Sequence, residues 1–233
     1  MNNPAVDAWS TPVAALGVDA RASFITRTYL HLAGAIAGFV AVEAALFESG
    51  LAAPIAQAML GTSWLMVLGA FMVVSWLASR AAHGSSSAAL QYAALAGFVL
   101  AEALIFVPLL YIADAVAPGA ISSAAVVTLG GFAGLTAVAF WTRKDFSFLG
   151  GLLRWGFIVA LVTIVAGVIF GFELGTFFSV AMVGLAGAAV LYDTSNVIHH
   201  FPEDRHVGAA LQLFASVALM FWYVLRLFIA SRD

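Results

Sequence analysis

The sequence predicts an all-α membrane protein, a seven-transmembrane-helix bundle with its N-terminus in the cytoplasm and its C-terminus outside. Hydrophobic residues make up 64% of the 233 residues and charged residues only 9%, whereas a soluble domain is about 25% charged. Seven apolar stretches each reach the roughly 20 residues that a helix needs to cross a bilayer. Basic residues gather at alternate ends of these stretches, which indicates one fixed orientation.

Each predicted span is an apolar run that stops where glycine or charged residues appear. In chain order the spans are Arg27–Phe47, Ile55–Ser79, Ala88–Ile112, Ile121–Trp141, Phe148–Phe170, Gly175–Ile198 and Val207–Ala230. The separators are short and carry turn-forming or charged residues: 48–50, 80–84, 114–119, 142–145, 171–173 and 199–206. Short connections make neighbouring helices antiparallel, so we expect one bundle over residues 27–233.

The orientation follows from the basic side chains, because cytoplasmic loops carry an excess of lysine and arginine. One set of helix ends carries most of them: Arg21, Arg27, Arg80, Arg143, Lys144, Arg154 and Arg205. The opposite ends carry the acidic residues Glu48, Asp114 and Glu173, and basic residues return there only near the C-terminus. We therefore predict that the first set of ends faces the cytoplasm.

Residues 1–26 precede the first predicted span. They are polar, contain alanine and proline, and show no amphipathic stripe. Segments of this kind at a chain end are commonly flexible. We expect a flexible cytoplasmic tail, which is either an inert leader or a handle for a cytoplasmic partner.

Composition excludes several kinds of protein. The chain has no cysteine, so a disulfide scaffold, a thiolate metal site and a cysteine nucleophile are ruled out. The net charge of −3 is not accompanied by a basic stripe, and nothing indicates a nucleic-acid partner. A retinal protein needs a lysine within a span, but the only lysine, Lys144, falls in a predicted loop.

Asp193 is the most informative residue, because a carboxylate within a membrane span marks a functional site or a buried pair. It lies roughly 9 Å inside the cytoplasmic end of the sixth span at about 1.5 Å per residue. Arg80 and Arg154 have similar depths on the same side, and either could pair with it. An opposite charge favours the carboxylate and burial favours the neutral acid. The sequence is therefore consistent with two roles for Asp193, a proton-sensitive ion pair and a permanent salt bridge.

Three other intramembrane charges need an explanation. Glu43 and Arg226 lie at matching depth near the outer ends of the first and seventh spans, so we predict a structural pair, although Arg226 could instead extend to the interface. Glu102 is midway along the third span with no obvious partner. An unpaired acid at that depth should be neutral or face a water-filled cavity, so Glu102 is a candidate proton or cation ligand.

The chain shows no motif of an enzyme or a metal site, and we expect a non-enzymatic protein without a cofactor. Histidines and acids cluster after the sixth span, at His199, His200, Glu203, Asp204 and His206. Their spacing matches no standard metal site, which favours a solvated loop. Tyr192-Asp193 matches half of an aspartyl intramembrane protease motif, but the Gly-x-Gly-Asp half is absent. The Gly-x-Ser-x-Gly and His-Glu-x-x-His motifs are also absent.

Four segments of the chain resemble the Bax inhibitor-1 family of seven-span membrane proteins. They are Arg27-Thr28-Tyr29, the central loop Thr142-Arg143-Lys144-Asp145-Phe146-Ser147-Phe148-Leu149-Gly150-Gly151, the segment Tyr192-Asp193-Thr194-Ser195-Asn196-Val197-Ile198-His199 and the final Ala230-Ser231-Arg232-Asp233. The likeness covers nearly the whole chain and is greatest to the bacterial YccA group, which modulates the membrane-anchored AAA protease FtsH. The resemblance implies a bacterial inner-membrane protein that binds and modulates FtsH.

The same resemblance implies an alternative, a pH-sensitive calcium leak. In family members of that kind, aspartates of the sixth and seventh spans share a proton-sensitive network with an arginine of the second span. Asp193 matches the first aspartate and Arg80 matches the arginine, but Ser216 occupies the position of the second aspartate. A serine cannot supply the second charge, and the YccA group is similar in having serine there. Glu102 and Ser216 are the candidate residues of an ion pathway for calcium or protons.

Overall fold

A computed structural model describes residues 11–85 and 87–232, and these residues form helices and no strand. Two short 3-10 turns, Val13–Ala15 and Glu203–Arg205, precede the first and the last α-helix. The α-helices in chain order are α1 (Val18–Glu48), α2 (Ala52–Leu60), α3 (Trp64–Gly84), α4 (Ala88–Val116), α5 (Ala120–Thr142), α6 (Leu149–Phe170), α7 (Thr176–His199) and α8 (His206–Ala230).

Seven of these helices, all except α2, are long and apolar enough to cross a membrane. The all-α class and the seven-span bundle are therefore confirmed. Apart from the connection between α1 and α3, which contains α2, consecutive spans are joined by short connections, as the separators in the sequence predicted. Which end of the bundle faces the cytoplasm stays a prediction.

The second predicted span, Ile55–Ser79, is wrong as a single helix. The chain instead forms the nine-residue α2 and then α3, separated at Gly61, Thr62 and Ser63. The hydroxyl of Thr62 donates to the carbonyl of Ala58 at 2.9 Å, and Ser63 is extended with ψ of 123°. Polar side chains that bond to nearby backbone, and glycine with its low helix propensity, explain why the helix ends here.

The first span is longer than predicted, because α1 begins at Val18 and not at Arg27. Val13 and Phe24 are almost completely buried. The N–H of Val13 donates to the carbonyl of Phe201 at 2.9 Å, and the rings of Phe24 and Phe201 stack at 6.4 Å. Apolar side chains therefore hold this segment against the loop after α7. The rest of the predicted tail, residues 1–10, lies outside the described residues.

The bundle is built around α4 and α8. In the most apolar part of α4, 61% of the residues are buried, compared with 6% for α3. The α8 helix contacts α1, α3, α4, α5 and α7. Aromatic rings join the central pair to α1: Phe106 stacks on Phe221 at 5.6 Å and meets Phe39 edge-on at 5.1 Å. Polar groups on α8 are consequently held in the interior, next to α7.

Candidate functional site

A cavity of about 940 Å³ opens between α3, α4, α6, α7 and α8, within the usual size range of ligand cavities. Its walls are largely apolar, with aromatic side chains from α3 and α8. Four charged residues line it: Glu102, Arg154, Asp193 and Arg226. Three of the residues that the sequence singled out as candidates, together with one residue of the predicted structural pair, thus share one cavity.

Asp193 is 4% exposed and faces α8. Its Oδ1 accepts a hydrogen bond from Nε2 of Gln212 at 2.5 Å, and its Oδ2 accepts one from Oγ of Ser216 at 2.5 Å. Residues four apart on a helix lie on one face, so α8 presents both donors together. Two neutral donors thereby satisfy the buried carboxyl group, and Ser216, at the position of the family's second aspartate, lies beside Asp193.

The predicted ion pair between Asp193 and an arginine is not formed. Within residues 11–85 and 87–232, no arginine nitrogen lies within 4.0 Å of its carboxylate. Arg154 lines the same cavity, but its side chain is exposed. Arg80 is exposed outside that cavity, with its guanidinium 5.3 Å from the ring centroid of Trp76. The pair was predicted because the residues have similar depths in the membrane, and similar depth alone does not make two side chains face each other.

The predicted pair of Glu43 and Arg226 is wrong for the same reason. Nη2 of Arg226 donates to the carbonyl of Leu174 at 3.3 Å, and its guanidinium lies 5.9 Å from the ring centroid of Tyr223. Glu43 instead lines a second cavity, between α1, α4, α5 and α8. The two residues have matching depth but face different cavities.

Glu102 is 7% exposed and lines the large cavity from α4. Across the part of the chain that the structure describes, its carboxyl group makes no hydrogen bond or ion pair. An intramembrane acid without a partner is expected to be neutral or hydrated, and its place in a cavity wall suits both states. Its part in an ion pathway stays a prediction.

Sequence reasoning missed the polar contacts that join the α5–α6 loop to α7. Asp145 accepts the N–H of Ser147 at 2.8 Å and contacts Nε2 of His200 at 3.0 Å. The backbone bond from Ser147 and then His200 hold the pKa of Asp145 below its usual value. The N–H of Phe146 donates to Oγ of Ser195 at 2.9 Å. These partners are 49 to 55 residues apart in sequence, although both segments belong to those that carry the family resemblance.

These side chains do not make a catalytic triad. His199 is the histidine near the hydroxyl of Ser195, at 3.5 Å, whereas His200 is the one that contacts Asp145. Ser195 is also completely buried. A nucleophile needs a base that a third group orients, and an approach for substrate. Among the described residues, no three histidine, aspartate or glutamate side chains are grouped to hold a metal.

Gln212 contacts Asp193 in the candidate site but was not predicted from the sequence. It precedes Ser216 by four residues on α8, and that spacing places both on the face that meets Asp193. Its spacing of one helical turn from Ser216 is the signal in the sequence that indicates it. An uncharged amide in an apolar helix is less conspicuous than a charged side chain.

The chain matches a known protein family over most of its length. The family described as "Inhibitor of apoptosis-promoting Bax1" matches residues 21–233. The matched range includes every helix of the bundle except the first three residues of α1.

Three bacterial relatives show the level of sequence identity. The chain is 35% identical over 100 residues to "Modulator of FtsH protease YccA" of Escherichia coli K12, covering 42% of this chain and 45% of that protein. It is 36% identical over 117 residues to "Uncharacterized protein PA2604" of Pseudomonas aeruginosa, covering 48% and 51%. The match to "Uncharacterized protein Cj0236c" of Campylobacter jejuni is 32% over 201 residues, covering 80% and 79%. The chain thus spans about half the length of the first two relatives.

Proposed function

Because the chain belongs to the Bax inhibitor-1 family, we propose that it is a non-enzymatic, multi-pass protein of the bacterial inner membrane that binds and modulates the protease FtsH. The observation that carries this proposal is the 35% identity to YccA, which is named a modulator of that protease. The missing triad geometry at Ser195 supports a binding role over an enzymatic one.

The end of the bundle that we predict to be cytoplasmic offers a surface for such a partner. There side-chain and backbone bonds hold together the N-terminal segment and the α3–α4, α5–α6 and α7–α8 loops. Val13 binds the carbonyl of Phe201, Asp145 binds His200, and Arg205 donates to the carbonyl of Ser85. Connected loops that hold one arrangement need little ordering when a partner binds.

Purification from native membranes tests this function directly. FtsH at its natural level should accompany the full chain, with YccA as the positive comparison. The absence of FtsH from the purified material, together with unchanged turnover of a chain that lacks residues 1–10, would contradict the proposal.

A matched pair of variants tests whether the packed N-terminal segment controls access. Val13 is completely buried and Val18 is 83% exposed. Val13→Asp should release the segment from Phe201 and accelerate FtsH-dependent turnover several-fold, because burying a charge there is strongly unfavourable. Val18→Asp is the control and should leave turnover unchanged. Equal half-lives of the two variants would show that the packed segment does not protect the chain.

The large cavity supports a second candidate function, a pH-sensitive leak for calcium or another cation. Glu102 and Asp193 are both buried and both line it, and intramembrane acids in cavities are typical of ion and proton pathways. Liposomes containing the chain and a calcium dye test this. Flux should fall severalfold in Asp193→Asn but not in Glu43→Gln, which changes an acid of the other cavity. Flux that is absent, or equal in both variants, contradicts the leak.

A further inference from the structure

A second cavity of about 540 Å³ lies between α1, α4, α5 and α8. The α1 helix lines it with residues at the three- and four-residue spacing of one helical face: Ile36, Phe39, Val40, Glu43, Ala44 and Phe47. The other helices contribute mainly alanine, leucine, valine and phenylalanine. An occupant would therefore have a largely hydrocarbon body.

Two polar groups in this cavity wall have no partner. Glu43 is 7% exposed and Thr128 is 2% exposed. Neither carboxyl oxygen of Glu43, nor Oγ1 of Thr128, has a hydrogen-bond partner in the part of the chain that the structure describes. Buried polar groups are nearly always hydrogen-bonded in native proteins, and an unpaired buried carboxyl group is especially unfavourable. A polar group of a ligand would remove this penalty.

The charge of the wall indicates the sign of that polar group. Asp114 adds a second, exposed carboxylate to the lining, and the hydroxyl of Ser122 is already bonded to the carbonyl of Gly119 at 3.0 Å. No lysine, arginine or histidine is among the described residues that line the cavity. The carboxylate of Asp114 attracts a cation to the edge of the cavity, and a cation inside the cavity favours the ionised form of Glu43.

An organic cation fits the cavity better than a metal ion does. Calcium takes six to eight oxygen ligands, whereas Glu43 and Thr128 are the only lining side chains shown with unpartnered buried oxygens in the described range. A protonated amine carries up to three N–H donors, enough to supply both side chains. Its hydrocarbon part would lie against the apolar walls.

We propose that this cavity binds a lipophilic amine, whose ammonium group donates hydrogen bonds to Glu43 and Thr128. Asp114 attracts the cation at the exposed edge, and the α1 stripe holds the hydrocarbon chain. The site uses neither Asp193 nor the large cavity. It therefore stands independently of both functions proposed above.

Saturable binding of tritiated dodecylamine to the full chain, measured by scintillation proximity, tests the site. The wild-type chain should bind saturably, and unlabelled dodecylamine should compete at least tenfold better than dodecanol or dodecanoic acid. Glu43→Gln should weaken binding at least tenfold, because it removes a charge-assisted hydrogen bond while keeping the shape. Glu102→Gln is the matched control from the other cavity and should bind within twofold of wild type.

Two more variants keep the test decisive if Glu43→Gln does not fold. Thr128→Val removes the hydroxyl and should weaken binding severalfold, and Ala125→Phe should block the cavity, which Ala125 lines. Each variant is compared only after its thermal unfolding shows a folded chain. Binding that does not saturate, equal competition by dodecanol, or wild-type affinity in Glu43→Gln or Ala125→Phe would overturn the proposal.

Discussion

Asp193 shows how a buried acid can be satisfied without an opposite charge. Gln212 and Ser216 each donate to one of its oxygens at 2.5 Å, so no arginine is required to stabilise the carboxyl group. Glu43 and Glu102 differ from it, because within residues 11–85 and 87–232 neither has such donors. Both of these acids line cavities. The hydrogen-bond donors that face a buried carboxyl group therefore decide whether it is satisfied within the protein or is available to bind a ligand.

Removing one of the two hydrogen-bond donors to Asp193 should make the bundle less stable. We expect Ser216→Ala to destabilise the bundle by about 1–3 kcal/mol, since a buried acceptor is left unpaired. Ser231→Ala is the control, because that exposed hydroxyl on the same segment donates only to the carbonyl of Phe228. Thermal unfolding of both variants in nanodiscs measures the difference. Equal transition temperatures would contradict the assigned hydrogen bond.

Close approach of helices sets the geometry of the site at the scale of elements. The start of α8 packs against the end of α3, and a Cβ on Gly208 would lie 3.0 Å from the carbonyl oxygen of Ala82. A small residue at such a crossing lets two backbones approach closely. This contact holds the start of α8, and hence the register of Gln212 and Ser216 against α7.

Gly208→Ala should therefore separate α3 from α8. The expected loss of stability is about 1–3 kcal/mol, as for other overpacked positions. Gly184→Ala on α7 is the matched control, since a Cβ there meets nothing within 4 Å; it should be neutral or stabilising by up to about 1 kcal/mol. Thermal unfolding of both variants measures the difference in stability. A control that loses as much stability as Gly208→Ala would show that the close contact is unimportant.

For the whole molecule, the central matter is how the bundle sits in the membrane. Asp145, His200 and Arg205 gather at one end of it, and Glu48 and Asp114 lie at the other. The excess of lysine and arginine at the first end predicts that it faces the cytoplasm. The proposed modulation of FtsH and the proposed protection by the packed N-terminal segment both depend on this orientation.

The lack of any native cysteine allows a direct test of orientation. Ser49→Cys and Ser147→Cys are near-isosteric substitutions at exposed positions of opposite ends. A membrane-impermeant maleimide should label Ser49→Cys in intact cells, and should label Ser147→Cys only after permeabilisation. The unsubstituted chain is the control and should not react. Labelling of Ser147→Cys in intact cells would reverse the predicted orientation.

Composition and apolar run length were enough to predict seven membrane-spanning helices, because the bilayer imposes both on any chain that crosses it. They could not predict the break at Gly61 or the early start of α1 at Val18. Those boundaries depend on local backbone bonds and on burial of Val13 against a distant loop.

The same distinction between sequence and structure holds for the candidate site. The sequence alone identified Asp193 and Glu102, since a charge within an apolar run is conspicuous. Only the tertiary structure decided that Asp193 bonds to Gln212 and Ser216. Neither Arg80 nor Arg154 is its partner. Depth along a helix can be read from the chain. The direction in which each face points is set by the packing of α4, α7 and α8 together.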